Sequence, residues 1–285
     1  MARLALPAAA LVVAAVLSAH AIARTVDAPA TAMVRIPAGT YLPLYTPPPD
    51  PNRTDTRVAR RTPTRQRRAV AAFDMDVYPV TNAQYLAFVR DHPEWRRSRV
   101  QRLFADDAYL RHWRGDLEPG DDAPASSPVV NVSWFAARAY LRALGKQLPT
   151  VDQWEYAAAA SERQRDASRD PAFLERLRVW YSRPSPARLP PVGSTFRNAY
   201  GVSDLHGLIW EWTLDFNSAL VNGESRADSD VDRSLYCGGG AAGASDFENY
   251  AAFMRYAFRS SLEARYDVGT LGFRGVKAIA ARSAR

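Results

Sequence analysis

The residues best suited to chemistry fall in one stretch, NAYGVSDLHGLIWEW at 198–212. Asp204 and Glu211 offer hard oxygen ligands. Gly207 between them lets the backbone bend, so that its carbonyls can face the same ion. A calcium ion takes six to eight such oxygens. The same spacing fits a second arrangement, a tight turn that runs into a buried aromatic strand with Glu211 paired to an arginine. Both arrangements remain open at this point.

A second group lies further along. Cys237 precedes three glycines, Gly238, Gly239 and Gly240, which suit close backbone approach beside a pocket. Cys237 is the only cysteine, so an internal disulfide, a CxxC redox pair and a zinc-cysteine cluster are excluded. As a thiol it suits a metal or reactive role, or a buried inert one. No His or Lys stands nearby in sequence to activate it. The four histidines, His20, His92, His112 and His206, show no helical metal-pair spacing.

These residues need a scaffold, and the chain of 285 residues is long enough for one large domain. Residues 1–23 read as a secretory signal: Arg3, an apolar run over 4–17, then small residues at 19, 21 and 23. The run is too short for a comfortable membrane span. Export to the periplasm is the expectation, with 24–32 a flexible mature terminus. The formal charge of +7 comes largely from arginines at 57–68, 90–114 and the C-terminus, without a nucleic-acid motif.

Strands are expected over 33–46, 69–77, 212–217 and 271–279. Thr81 or Asn82 caps a helix to about Arg90. Ser133 caps one over 134–144 that ends at Gly145, and Thr150 caps another over 151–160. Residues 161–191, rich in arginine and proline, read as irregular. Residues 250–261 are amphipathic, with Phe253, Met254, Ala257 and Phe258 apolar.

Further motifs occur in order: MVRIPAG at 33–39, YPVTNAQY at 78–85, PVVNVSW at 128–134, AYLRALGKQLPT at 139–150 with QWEY at 153–156, and LGFR at 271–274. With NAYGVSDLHGLIWEW they resemble the formylglycine-generating enzyme family, the sulfatase-modifying factors, over roughly 33–277. The resemblance implies an irregular α+β, C-type-lectin-like fold with a twisted antiparallel sheet, in a domain over 33–280. It implies one structural calcium ion held by the Asp204 and Glu211 side chains and the Gly207 and Ile209 carbonyls. The family's other calcium loop has no counterpart in 161–191.

The sequence departs from the family where the chemistry should be. The family's copper-binding cysteine pair follows its glycines; here 238–259 holds no cysteine, and Cys237 stands before the glycines. Soft thiolates are what Cu(I) requires, so cysteine-to-formylglycine oxidation by that route is rejected. The family's structural disulfide is missing at both ends, as Leu141 and Gly275. Around the same cavity the resemblance implies Trp210, Asp246, Tyr250, Arg255 and Arg259 as ligand-binding residues, with Glu248 and Cys237 as catalytic candidates. Arg255 and Arg259 suit structural salt bridges equally well.

Two readings of function follow. One is an exported, divergent oxidoreductase or oxidative maturation factor acting on a protein or peptide-derived substrate, its redox metal unknown. The family includes exported members that lack the cysteines yet take part in oxidative maturation, such as the pyoverdine-fluorophore oxidase. The other is a non-catalytic, calcium-stabilised accessory protein. The runs beside Cys237 and Arg259 resemble a branch associated with maturation of copper nitrite reductases. No nucleic-acid partner is expected, and no membrane span after signal cleavage.

Overall fold

The computed structural model describes residues 32–43, 67–216 and 250–279. The leader, Cys237, Asp246 and Glu248 lie outside the described residues. Helices and short strands alternate with long irregular stretches, as an α+β chain rich in turns requires.

Strands β1 (Met33–Ile36), β2 (Gly39–Tyr41), β3 (Arg68–Val70) and β4 (Phe73–Asp76) come first. The expected strand over 33–46 is therefore two short ones, interrupted at Pro37, which has no N–H for the ladder. β1 and the C-terminal β7 (Val276–Ala278) flank β4 in an antiparallel sheet, with Ile36 opposite Phe73 and Met75 opposite Val276. β2 and β3 form a separate antiparallel pair. The expected strand over 212–217 is instead β5 (Trp210–Glu211), which pairs in parallel with β6 (Leu271–Gly272). The Trp212 amide makes the last bond to β6, at Gly272 O, and the Leu214 amide bonds Pro149 O instead.

The helices start where polar caps precede apolar faces. Thr81 and Gln84 form a capping box for α1 (Asn82–Asp91), and Ser133 caps α2 (Trp134–Ala143). Thr150 and Gln153 repeat the capping box on α3 (Val151–Ala158). A helix not expected from the sequence, α4 (Pro171–Tyr181), opens at Asp170, whose carboxylate accepts from Ala172 N and Phe173 N. Proline at its first position fits, because that N–H has no helical partner. Phe173 and Leu177, one turn apart, bury its inner face. α5 (Tyr250–Ser260) packs on α4.

Tyr85, Trp113, Tyr140, Leu141, Leu148, Trp212 and Phe273 lie in the largest core. A second core joins Ile36, Phe73 and Met75 of the sheet to Trp154, Ala157 and Ala158 of α3. Burying a side chain of this size contributes about 1.5–3 kcal/mol relative to exposing it. The second core holds α3 against the main sheet, the Trp154 indole N–H bonds Glu211 of β5, and α3 carries the site.

Candidate functional site

Two buried charge centres lie on either side of Trp154. The first is built on Arg274, fully buried two residues after β6. Its Nη2 donates to Glu211 Oε1 at 2.7 Å and its Nε to Glu211 Oε2 at 2.8 Å. Its remaining donors reach the carbonyls of Asp76 (3.1 Å), Val77 (3.2 Å) and Ser203 (2.9 Å). One guanidinium thus ties the end of β4, the 198–204 turn and β5 together. Both Arg274 and Glu211 side chains are 0% exposed. Trp154 Nε1 adds a third donor to Glu211, at 2.8 Å to Oε2.

Asp204 belongs to a turn. It is buried with φ +62°, and its carboxylate accepts from the backbone N–H groups of Gly193 and Thr195 and from the Thr195 hydroxyl. Gly207, at φ +87°, lies under Trp180, where an added Cβ would be 2.9 Å from Trp180 Cδ2. Ile209 packs in an apolar cluster with Val130 and Leu208.

As arranged, the Glu211 carboxylate is committed to Arg274 rather than free for a calcium ion. Glu211 is neutralised by a guanidinium, and a cation there would have to displace Arg274 from a fully bonded buried position. The geometry shown is that of the turn with an arginine-paired Glu211; a calcium ion on Asp204, Gly207, Ile209 and Glu211 stands as a proposal. Among the described residues no group of three or more His, Cys, Asp and Glu could hold a metal ion.

The second centre is Glu155, next to Trp154 on α3. Arg255 of α5 grips it with two bonds, Nε to Oε1 at 2.9 Å and Nη2 to Oε2 at 2.8 Å. Arg259, one turn later, donates to Oε1 at 2.6 Å. Both guanidinium groups also lie over the Trp154 ring, at 5.6 and 5.1 Å. Burial pushes the Glu155 carboxyl up, but the two arginine charges outweigh it and hold the group down to about 2.

His206 completes this centre. Its Nε2 lies 2.9 Å from Ala158 O, so that nitrogen carries the proton, and Nδ1 accepts from the Tyr181 hydroxyl at 3.2 Å. Tyr181 in turn accepts from Arg255 Nη1 at 3.4 Å. Burial first, and then the Arg255 charge, push the His206 imidazole down to about 3, so it is neutral at pH 7.

Of the expected ligand-binding residues, the structure brings together Trp210, Arg255 and Arg259. Trp210 stacks on Phe258 of α5 with centroids 4.4 Å apart and meets Tyr181 at 5.1 Å. Tyr250 is the first residue of α5. Trp154, Glu155, Tyr181, His206 and Phe258 were not expected here. Glu155 reads in sequence as a helix-dipole partner; the signal that it binds arginine is the Arg255–Arg259 spacing of one helical turn, which demands a shared facing group.

A Cβ on Gly275 would sit 2.6 Å from Leu141 Cδ2, and beside it the buried Asp76 carboxylate pairs with Lys146.

Comparisons with known proteins agree with the ordered motifs. The family model described as "Sulfatase-modifying factor enzyme 1-like domain" matches residues 19–279. A formylglycine-generating enzyme of Streptomyces coelicolor is 30% identical over 241 residues, covering 71% of this chain and 77% of that protein. "Inactive C-alpha-formylglycine-generating enzyme 2" of Bos taurus is 29% identical over 222 residues, 64% of this chain and 69% of that one. Hercynine oxygenase of Mycolicibacterium smegmatis is 31% identical over 162 residues, 50% of this chain but 37% of that protein. The structure of PvdO from Pseudomonas aeruginosa superposes with a TM-score of 0.45 at 18% identity, covering 87% of this chain and 94% of that one.

Proposed function

The chain belongs to the sulfatase-modifying factor family, and we propose that it is an exported, divergent oxidoreductase or oxidative maturation factor. Its substrate is a protein or a peptide-derived molecule in the periplasm. The observation that carries this reading is the Trp210–Phe258 stack beside the Glu155–Arg255–Arg259 centre. It sets an aromatic face and a cationic group together on the helix that follows the glycine run. Two of the relatives, a hercynine oxygenase and a formylglycine-generating enzyme, support an oxidative or maturation role, while a third is an inactive one.

Copper-thiolate chemistry does not fit, because the chain has one cysteine and Cu(I) needs a thiolate pair. The chain's own described residues do simpler work. Glu155 holds both guanidinium groups in place, the Trp154 ring lies under them, and neutral His206 fixes the Tyr181 hydroxyl.

A second reading, a non-catalytic accessory protein for maturation of a partner such as a copper nitrite reductase, is favoured by one observation. Arg255 is fully bonded within the protein and so is structural. Metal content of the mature protein purified from the periplasm without chelator separates the two. Stoichiometric iron or copper supports the oxidoreductase and makes Cys237 and Glu248 the ligands to mutate. Calcium alone, or no metal, supports the accessory protein.

A further inference from the structure

From the charge balance around Glu155 we infer that Arg259 is the anchor for an anionic group on the ligand, a carboxylate carried next to a flat apolar or aromatic portion. This rests on the reading of the cluster as a ligand site and names the class of molecule it takes.

The argument is one of counting and position. Glu155 supplies one negative charge, and Arg255 and Arg259 supply two positive ones. His206 supplies none, because both its nitrogens hold neutral-tautomer bonds to Ala158 O and the Tyr181 hydroxyl. Among the described residues the centre therefore carries a surplus charge of about one unit, with little water to screen it.

That surplus falls on Arg259. Arg255 is 2% exposed, takes both oxygens of Glu155 and uses its third nitrogen on Tyr181. Arg259 has a single bond to Glu155, through Nη1, to an oxygen that Arg255 already occupies. Its side chain is 13% exposed. Among the described residues no second carboxylate pairs with it. Its free edge is suited to a two-pronged bond with a carboxylate. Next to it on α5, Phe258 stacks with Trp210, and both rings remain partly exposed. A ligand reaching Arg259 meets this apolar wall beside the charge.

The test uses the mature native protein with N-acetyl-phenylalanine as the acid probe and N-acetyl-phenylalanine amide as its uncharged twin. Titration is followed by tryptophan fluorescence and by calorimetry. The expected result is saturable binding of the acid and at least about tenfold weaker binding of the amide, since only the acid makes the charge-assisted pair. Arg259→Gln should match that loss, and Arg259→Lys should recover part of it. Because the acid–amide comparison is made on the native chain, it stands even where Arg259→Gln fails to fold. Equal binding of the two probes, or no binding of either, overturns the inference. So does acid binding that appears only after Asp246→Asn or Glu248→Gln, because the occupant would then be the chain's own carboxylate. None of these readouts involves oxidation, so an outcome here is separable from the fate of the oxidoreductase reading.

Discussion

Glu211 and Arg274 form the charge pair on which the turn, the β5–β6 pair and the end of β4 converge. Glu211→Gln leaves a buried guanidinium without its counter-charge, so a loss of about 3–5 kcal/mol in urea unfolding is expected. Because Arg274 already neutralises Glu211, a chelator should leave the native Tm unchanged; a chelator-dependent fall would show that a cation does hold this turn. His206 gives a pH signature. Its folded value, about 3, lies below the ordinary 6.5. The unfolded state therefore binds more protons in between, and stability rises with pH there. His206 contributes fully above pH 6.5, and that contribution is lost progressively as pH falls toward 3. Glu155, at about 2 against an ordinary 4.5, adds a second loss below pH 4.5. His206→Gln should remove the upper limb of the acid-melting curve, which thermal scans from pH 7 to 4 would read.

Asp267 works in the opposite sense. Burial, and then the nearby Asp106 charge, push its carboxyl up to about 9. Its stabilising share is fully present below pH 3.8 and is lost as pH rises through 9. Asp267→Asn should flatten the alkaline side of the stability profile. A profile unchanged between pH 7 and 10 would show that this carboxyl does not govern it.

At the scale of elements, Leu141 of α2 and Gly275 before β7 lie close together, so that a Cβ added to Gly275 would be 2.6 Å from Leu141 Cδ2. Their contact implies coupling: Gly275→Ala should cost about 1–3 kcal/mol by overpacking, and less in a Leu141→Ala background that makes room. Strict additivity of the two changes would contradict this coupling. The capped helices were legible in sequence because Thr81, Ser133 and Thr150 each precede an apolar face, and their caps are local. α4 was missed because arginines and prolines dominate its surroundings; the Asp170–Pro171 start and the Phe173–Leu177 spacing were the signals available. Strand lengths were overread, since pairing depends on partners far apart in the chain, such as Trp210 beside Leu271. The partner of Glu211 was legible as a type, an arginine. Its identity, Arg274, is set 63 residues away by the β5–β6 pairing.

For the molecule as a whole, Trp154 links the two charge centres. Its indole N–H reaches Glu211, while its ring lies under Arg255 and Arg259. The first centre holds the family fold together, and the second presents the aromatic and cationic face on which the proposed function rests. Export and the substrate class were read from the leader and the family likeness, and they stand as proposals. The most direct measurement compares periplasmic peptides, by mass spectrometry, from a host strain with and without this gene. We expect one exported protein or peptide-derived molecule to lose its oxidised form in the deletion strain and to regain it with the native gene. Spectra that do not differ between the two strains would contradict an oxidative role.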